Sequence, residues 1–223
     1  LAVVARDADG ATAERTVYAK VFREDEEGRR AERLQRRLRD LAAGGDFAVA
    51  RPIAYVGAER TLLLDAAPGA NLNDILGGNG AVEAAARRAA RAVAALHRLP
   101  MTDGDLVGRP RPVRDETARV GELAKQVAAA APDLAPDVET LAAAIVARLA
   151  ATDGRGEPPL APTHFDLKLA HVLLDGELVT LLDFDKLGLA DPVVDVAHLL
   201  ALVGKERRGN RRRDGRQRFA QAF

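Results

Sequence analysis

The segment Thr163–Leu200 reads THFDLKLAHVLLDGELVTLLDFDKLGLADPVVDVAHLL. Two clusters of polar residues interrupt a sequence that is otherwise apolar and typical of strands. The first cluster contains His164, Asp166, Lys168 and His171, and the second contains Asp183 and Asp185. Asp175-Gly176, which lies between the clusters, is a tight-turn signal and predicts a β-hairpin.

A hairpin folds its two strands back beside each other, so the two polar clusters come to the same end of the sheet. The residues that converge there are Asp166, His171, Asp183 and Asp185. Three carboxylates and an imidazole in one place require a positive counter-charge. A hard divalent cation such as magnesium, together with bound phosphate, would supply it.

Motifs in this segment and upstream of it resemble those of one enzyme family. HFDLKLAH is similar to the loop pattern H-x-D-x-x-x-x-N, and DFDKLGLADPVVDVAHLLA is similar to I-D-[FW]-x-x-x-x-x-G-D-P-x-x-D-L-A. Upstream, RRAARAVAALHRLP resembles a helix that ends in L-x-x-L-H, YAKVF a strand with a phosphate-binding Lys, and TLLLDAAPG a hinge. These motifs resemble the aminoglycoside/choline-kinase-like phosphotransferases, a family with the protein-kinase-like fold, over essentially the whole chain.

The resemblance implies the residues that carry the catalytic step. Asp166 would accept or orient the hydroxyl proton of the substrate as the hydroxyl oxygen attacks the γ-phosphate. Lys168 would act beside Asp166 in handling phosphate. His164 and Asp195 would brace the loop that holds Asp166, so their roles would be structural.

The cofactors that the resemblance implies are ATP or GTP as the phosphate donor, and magnesium. Lys20 would contact the α- and β-phosphates, and Glu32, or alternatively Glu27, would orient Lys20 from the following helix. The hinge would place Asp65 and Ala67 beside the nucleotide. The implied metal ligands are Asp183, His171 and Asp185.

The rest of the sequence predicts an α+β protein. The predicted strands before the hairpin are Leu1–Asp7, Thr16–Phe22, Arg51–Val56 and Thr61–Ala66, with a turn at Asp9-Gly10 and an amphipathic helix ended by Gly44-Gly45. Residues 1–67 would form a small antiparallel, nucleotide-binding lobe with one helix. Residues 68–223 would form a larger, mainly helical lobe that carries the catalytic hairpin. Together they predict the two-lobed protein-kinase-like fold.

The sequence departs from the family pattern in three places. His171 stands where the family has Asn, so the site would use manganese, hold a single metal ion, or be catalytically impaired. Ala190 stands where a Gly precedes Asp191-Pro192. Nothing before Lys20 resembles a loop that covers a nucleotide, and the chain ends soon after the segment around Asp195. We therefore expect that a first strand and a phosphate loop precede this sequence and that further helices follow it.

Composition excludes several classes of protein. The 223 residues include no Cys, which excludes disulfide scaffolds and thiolate sites and fits a reducing, cytoplasmic compartment. The 33 basic residues balance the 33 acidic ones, which argues against an overall electrostatic grip on nucleic acid or membrane. No apolar run is long enough to span a membrane. The Arg-rich stretch 205–218 is interpreted as a solvated helix face or a disordered end.

The sequence therefore predicts a phosphotransferase that moves the γ-phosphate of ATP or GTP to a hydroxyl of an aminoglycoside-, choline- or sugar-like small molecule. One alternative is a catalytically impaired, kinase-like module that only binds nucleotide. The other is a protein kinase, but only seven residues separate Asp183 from Asp191, which leaves no room for a segment that positions a peptide. The sequence does not identify the acceptor.

Overall fold

A computed structural model describes residues 2–6, 12–77, 81–102, 113–151, 159–205 and 210–223. The strands are β1 (Ala2–Arg6), β2 (Thr12–Val21), β3 (Ala48–Val49), β4 (Pro52–Val56), β5 (Thr61–Asp65), β6 (Ala70–Asn71), β7 (Ala161–Thr163), β8 (Val172–Asp175), β9 (Leu178–Leu181) and β10 (Gly188–Ala190). The α-helices are α1 (Asp25–Ala42), α2 (Leu72–Gly77), α3 (Val82–Leu96), α4 (Val113–Ala130), α5 (Ala135–Ala150), α6 (Val193–Lys205) and α7 (Asn210–Ala222). A small antiparallel sheet is followed by a mainly helical part, so the predicted α+β class is confirmed.

The first sheet has the strand order β1-β2-β5-β4, and each neighbouring pair is antiparallel. Lys20 on β2 lies opposite Leu62 on β5 in this register. Because side chains alternate across a strand, Tyr18 and Lys20 share one face of β2. The predicted turn at Asp9-Gly10 lies outside the described residues.

Helix α1 packs an apolar stripe against this sheet. Leu34 and Leu38, four residues apart, are both buried, as the amphipathic pattern predicts. Gly28 allows the helix to approach β4 closely, because a Cβ there would overlap the ring of Tyr55. The hydroxyl of Tyr55 donates to the backbone carbonyl of Asp25 at 3.1 Å and ties the start of the helix to the sheet.

The predicted hairpin is formed by β8 and β9, which turn at Gly176 with φ +55°. Two strands of two residues each extend it, β3 in parallel beside β9 and β6 antiparallel beside β8. The sheet order is therefore β3-β9-β8-β6. Because β3 comes from the first 67 residues, the N-terminal part of the chain contributes to the sheet that carries the hairpin. The division into residues 1–67 and 68–223 stays a prediction.

The segment that leads from β5 to β6 requires a glycine. Gly69 has φ +106°, a conformation that other residues rarely adopt. A Cβ at Gly69 would also overlap the backbone carbonyl of Leu174 on the hairpin. This close approach holds the connecting segment against β8, next to the site described below.

The main core lies between the hairpin sheet, α2, α3 and α7. On α3 a stripe of small residues (Ala85, Ala89, Ala92) is fully or almost fully buried and lets neighbouring elements approach closely. The helix ends at Leu96, four residues before Pro100. The helix that RRAARAVAALHRLP resembles is therefore present, and its end places His97 next to the core.

Helix α7 corrects in part the interpretation of the Arg-rich stretch as a solvated face or disordered end: Gln217 and Arg218 are exposed, but other described residues of the stretch are not. Within its described side chains, Arg216 is buried and its guanidinium lies 3.5 Å from the carbonyl oxygen of Leu202. Phe219, directly after the stretch, is fully buried in the core. Gly215 lies so close to the backbone of Leu76 that a Cβ would come within 2.8 Å of its carbonyl oxygen.

Helices α4 and α5 pair with each other as a helical hairpin, joined by a single 3-10 turn at Pro132–Leu134. No side chain between residues 117 and 151 is buried. None of the described helices has the length and hydropathy needed to cross a membrane.

Candidate active site

Asp195 on α6 is fully buried and organises the loop that carries Asp166. Its carboxylate accepts hydrogen bonds from the backbone N–H groups of His164, at 2.7 Å, and Phe165, at 2.9 Å. His97, at the end of α3, donates a third bond through Nε2 at 3.0 Å. Phe165 has φ 63°, a left-handed conformation that is unfavourable for a bulky residue. The bonds to Asp195 stabilise this turn of the chain.

Two histidines tie the Asp166 loop to the end of β9. His164 donates from Nε2 to the carbonyl oxygen of Leu182 at 2.8 Å, and its Nδ1 lies 3.4 Å from the N–H of Asp166. His171 donates from Nδ1 to the carbonyl oxygen of Asp166 at 2.9 Å. This bond fixes the neutral tautomer and leaves the Nε2 lone pair 3.6 Å from Oδ2 of Asp183. The loop and the strand end are therefore held in one arrangement.

Asp166 has two ammonium groups at the same carboxylate oxygen. Oδ2 accepts a hydrogen bond from Nζ of Lys168 at 2.9 Å and lies 3.5 Å from Nζ of Lys186. Burial alone would raise the pKa of Asp166, but the Lys168 hydrogen bond and the charge of Lys186 outweigh it and hold that pKa below 3.8. The carboxylate is thus ionised at neutral pH. Its other oxygen, Oδ1, has no hydrogen bond within the described part of the chain.

Lys20 connects the first sheet to the acids at the end of the hairpin. Its Nζ lies 2.6 Å from Oδ1 of Asp183 and 2.5 Å from Oδ2 of Asp185. Burial lowers the pKa of Lys20, but the bonds to the two carboxylates prevail and raise it above 10.5. Burial likewise would raise the pKa of Asp183, and the hydrogen bond from Lys20 turns the net shift downward. Lys20 and Asp183 are therefore both charged at neutral pH.

Asp183 follows β9 in an unusual backbone conformation. Its φ is 64°, in the left-handed region, which Asp tolerates better than most residues because its short side chain can bond locally. The turn begins directly after Leu182, whose carbonyl oxygen is fixed by His164. Asp183 is thereby aimed back toward Lys20 and His171 rather than along the strand.

Glu32 does not orient Lys20 in this structure. Glu32 instead pairs with Arg36, one turn further along α1, at 2.9 Å. The ion pairs of Lys20 within the described residues are those with Asp183 and Asp185. The predicted Lys20–Glu32 pair is therefore not formed, because an i,i+4 partner on the same helix takes the carboxylate.

A cleft of about 530 Å³ leads away from these charges between the first sheet and the hairpin. Its apolar walls come from both sides and include Leu34, Leu62, Leu64, Leu173 and Leu182. Asp65 and Ala67, the predicted hinge residues, also line it. The carboxylate of Asp65 accepts a hydrogen bond from Arg51 at 2.5 Å. A cleft of this size, apolar with a few charges at one end, suits a nucleotide-sized ligand.

The predicted metal ligands lie close together around Lys20 but are not a preformed cage. Within the described residues, no three His, Asp or Glu side chains are arranged to hold a metal ion by themselves. Mg²⁺ is commonly held by one or two carboxylates together with substrate phosphates, so such a cage is not required. Asp183 and Asp185 supply hard oxygen donors at one place, where Lys20 now bridges them. The donor set fits a magnesium ion that arrives with a nucleotide.

The family assignment rests on a match over almost the entire chain. The model of the phosphotransferase enzyme family (APH) matches residues 5–222. The chain belongs to the phosphotransferase enzyme family. The resemblance inferred from the motifs is thereby confirmed, and this small-molecule phosphotransferase carries its charged cleft where the motifs predict it.

Solved structures of low sequence identity share the fold of this phosphotransferase. An ADP-bound aminoglycoside phosphotransferase is 12% identical, with a TM-score of 0.60 over 99% of this chain and 77% of that one. A choline/ethanolamine kinase family protein from Mesorhizobium loti is 15% identical, with a TM-score of 0.59 over 99% of this chain and 68% of that one. A glucosamine kinase is 15% identical, with a TM-score of 0.55 over 100% of this chain and 76% of that one. The kinase-like fold is therefore confirmed. No functionally curated sequence matches the chain.

Sequence reasoning missed one charged residue of the site. Lys186 follows Asp185 in the turn between β9 and β10, and its ammonium group reaches Asp166. Its position directly after the DFD motif is the sequence signal that could have identified Lys186. The family pattern, however, specifies no residue type at this position. The prediction that Asp195 braces the loop matches the hydrogen bonds that it accepts.

Proposed function

We propose that this phosphotransferase moves the γ-phosphate of ATP or GTP to a hydroxyl group of a small molecule, with Mg²⁺ bound alongside the nucleotide. The observation that carries the proposal is the proximity of Asp166 and Asp183 on either side of His171. Nδ1 of His171 donates to the backbone carbonyl of Asp166, Nε2 lies 3.6 Å from Oδ2 of Asp183, and Lys20 contacts Asp183 from the first sheet. The proposed metal ligand Asp183 and the proposed phosphate-binding Lys20 line the cleft, and His171 lies between Asp183 and the loop of the proposed proton acceptor Asp166.

The cleft orients the donor. The base of the nucleotide would occupy the apolar part of the cleft, whose lining includes Leu62 and Leu173 as well as Asp65 and Ala67. Lys20 donates to oxygens of the α- and β-phosphates, which lie at the charged end. Asp183, with Asp185 or the neutral Nε2 of His171 beside it, would hold Mg²⁺, which would supply positive charge to neutralise the phosphates of the nucleotide.

The transfer itself requires position and charge more than covalent chemistry. The acceptor hydroxyl binds at Oδ1 of Asp166, and its oxygen forms a bond to the γ-phosphorus. The bond between that phosphorus and the β,γ-bridging oxygen breaks, and the nucleoside diphosphate leaves with the electron pair. The hydroxyl proton passes to Asp166, while Lys168 stabilises charge on the transferred phosphoryl group. Removing one such stabilising group typically slows a reaction by about 100- to 1000-fold.

Thermal unfolding with ATP or GTP, each with and without Mg²⁺ or Mn²⁺, tests the donor half of the proposal. Nucleotide with metal should raise Tm more than nucleotide alone, and Asp183→Asn should abolish the metal-dependent part. Asp175→Asn, at the exposed hairpin turn, is the matched control and should behave as the unchanged protein. Loss of the nucleotide effect in every condition would sink the proposal.

Phosphorus NMR of the reaction mixture tests the transfer half. A new phosphate ester should form from a hydroxyl compound and the nucleotide, and its formation should require Asp166. One alternative, a module that only binds nucleotide, is favoured by the imidazole of His171 in the position of a family Asn. Metal-dependent nucleotide binding without any phosphate ester, across a broad set of alcohols, would establish that alternative.

A further inference from the structure

Lys186 places a positive charge at Asp166 that the transfer mechanism above does not use. Its Nζ lies 3.5 Å from Oδ2 of Asp166, and its side chain is 61% exposed. Lys186 is therefore exposed to solvent beside the carboxylate that is proposed to receive the acceptor hydroxyl. A Lys ammonium is a compact point charge with three donors, well suited to bind a carboxylate or a phosphate.

The acceptor hydroxyl must lie near this charge. Oδ2 of Asp166 is held by Lys168 at 2.9 Å and by Lys186, so Oδ1 is the oxygen left for the hydroxyl. Both ammonium groups contact Oδ2, and Oδ1 belongs to the same carboxylate. A hydroxyl bound at Oδ1 therefore lies close to both ammonium groups. A substituent on a carbon next to the reacting hydroxyl is close enough to interact with Lys186.

The acids of the cleft are already paired with protein cations. Asp183 and Asp185 pair with Lys20, and Asp65 pairs with Arg51. Among the described residues, each carboxylate that lines the cleft therefore has a basic partner. The acceptor is instead proposed at Asp166, where two ammonium groups lie beside one carboxylate, so an amine-rich acceptor would be repelled there.

We propose that Lys186 selects the acceptor by charge, so that the substrate carries an anionic group, a carboxylate or a phosphate, close to the reacting hydroxyl. Polycationic alcohols are rejected by Lys186 and Lys168 together. This inference rests on the proposed function, because it concerns the acceptor of the same site. Lys186 is a specificity-determining residue and takes no proton in the reaction.

A matched panel of alcohols tests the inference. Glucosamine, glucose and glucuronate share a sugar ring and are cationic, neutral and anionic, respectively. Ethanolamine, ethylene glycol and glycolate share a two-carbon skeleton and have the same order of charges. Phosphate transfer from ATP is measured for each compound, and binding of each to the ADP-bound enzyme is measured by saturation-transfer NMR. A compound that binds without being phosphorylated therefore still gives an affinity for the comparison. The anionic member of each set should exceed the cationic member by about tenfold or more in kcat/KM or in affinity.

Two substitutions at Lys186 separate charge selection from other roles. Lys186→Glu should lower the anionic-to-cationic ratio at least about tenfold, and Lys186→Gln should raise KM for the anionic acceptor while KM for ATP stays within about twofold. Lys125→Glu is the matched control, because Lys125 lies on exposed α4 and pairs only with Glu122 within the described residues. It should leave the ratio unchanged.

Three results would overturn the inference: a cationic member that equals or exceeds its anionic match, an unchanged ratio in Lys186→Glu, or a raised KM for ATP in Lys186→Gln. The last result would assign Lys186 to the donor phosphates. Failure of the proposed function looks different, because metal-dependent nucleotide stabilisation would then be absent from the unchanged protein.

Discussion

Asp195 accepts a hydrogen bond from the backbone N–H of His164 at 2.7 Å across a separation of 31 residues. The bond joins α6 to the loop that carries Asp166, and it lies in an environment without solvent, since both side chains are fully buried. A carboxylate that accepts several N–H bonds in such an environment makes stronger bonds than a neutral acceptor would. The geometry of the catalytic loop thus depends on a residue that does not line the cleft.

Asp195→Asn should destabilise the protein and misplace Asp166. The Asn amide keeps one oxygen that accepts a hydrogen bond. Its NH₂ group would face a backbone N–H group that donates to the Asp195 carboxylate in the unchanged protein, and two donors cannot bond to each other. The expected loss in the free energy of unfolding is about 2–3 kcal/mol, measured by urea denaturation. Asp191→Asn is the control, because Asp191 accepts the N–H of Val193 at 2.9 Å as a helix cap, a role that Asn fills equally well. Equal stability of the two variants would contradict the bracing role of Asp195.

Asp166→Asn should abolish phosphate transfer and leave nucleotide affinity nearly unchanged. The amide cannot accept the hydroxyl proton, and it loses the ion pairs with Lys168 and Lys186. Nucleotide binding depends instead on Lys20, Asp183 and the apolar cleft. We expect kcat to fall by about 100- to 1000-fold or more, with Kd for ATP, measured by calorimetry, within about threefold. Turnover equal to that of the unchanged protein would refute the assignment of Asp166.

The hairpin and its acids could be predicted because their signals are local. Asp175-Gly176 fixes the turn, and the short apolar strands on each side fix which ends meet. His171 and Asp183, which flank the paired strands, then had to come together, whereas the position of Asp166 also depends on the bonds that Asp195 makes to its loop. Strands β3 and β6 could not be predicted, since two residues give no periodicity and their pairing depends on the finished hairpin.

The positions of the charged residues were easier to predict from the sequence than the residues with which they pair. Lys20 and Asp183 are 163 residues apart, and no pattern along the chain specifies which acid a lysine reaches after folding. Glu32 has a competing Arg36 on its own helix, and the nearer partner prevails. Arginines near the C-terminus similarly suggested a solvated surface, because composition does not show that Phe219 inserts into the core.

His171 should make stability depend on pH. Burial lowers the pKa of His171 below its ordinary value of 6.5, so the folded protein keeps this imidazole neutral where the unfolded chain would protonate it. The contribution of His171 to the free energy of unfolding should therefore be fully present above about pH 6.5. It should fall as the pH drops toward the folded pKa, with a slope of at most about 1.4 kcal/mol per pH unit for one proton. The carboxyl groups of Asp166 and Asp183, whose pKa values are lowered below 3.8, titrate at lower pH than His171 does in the unfolded chain and so do not cause this fall near pH 6.5.

His171→Asn removes this proton and should flatten the dependence. Urea denaturation at about pH 7.5 and about pH 5.5 gives the difference in stability for each protein, and the variant should show the smaller difference. The sign follows from the linkage, because the unfolded chain binds the extra proton. A variant with the same difference as the unchanged protein would show that other groups cause the dependence. NMR titration of the His171 ring checks the lowered pKa directly.

Phe219→Ala should destabilise the protein strongly and show that the end of the chain is part of the core. Phe219 is fully buried and stacks on Phe223, with ring centroids 5.5 Å apart. Truncating such a side chain leaves a cavity and typically costs about 3–5 kcal/mol in the free energy of unfolding. Gln217→Ala, an exposed position on the same helix, should change it by less than about 0.5 kcal/mol. Comparable stabilities of the two variants in urea would mean that α7 does not pack against α3 in solution.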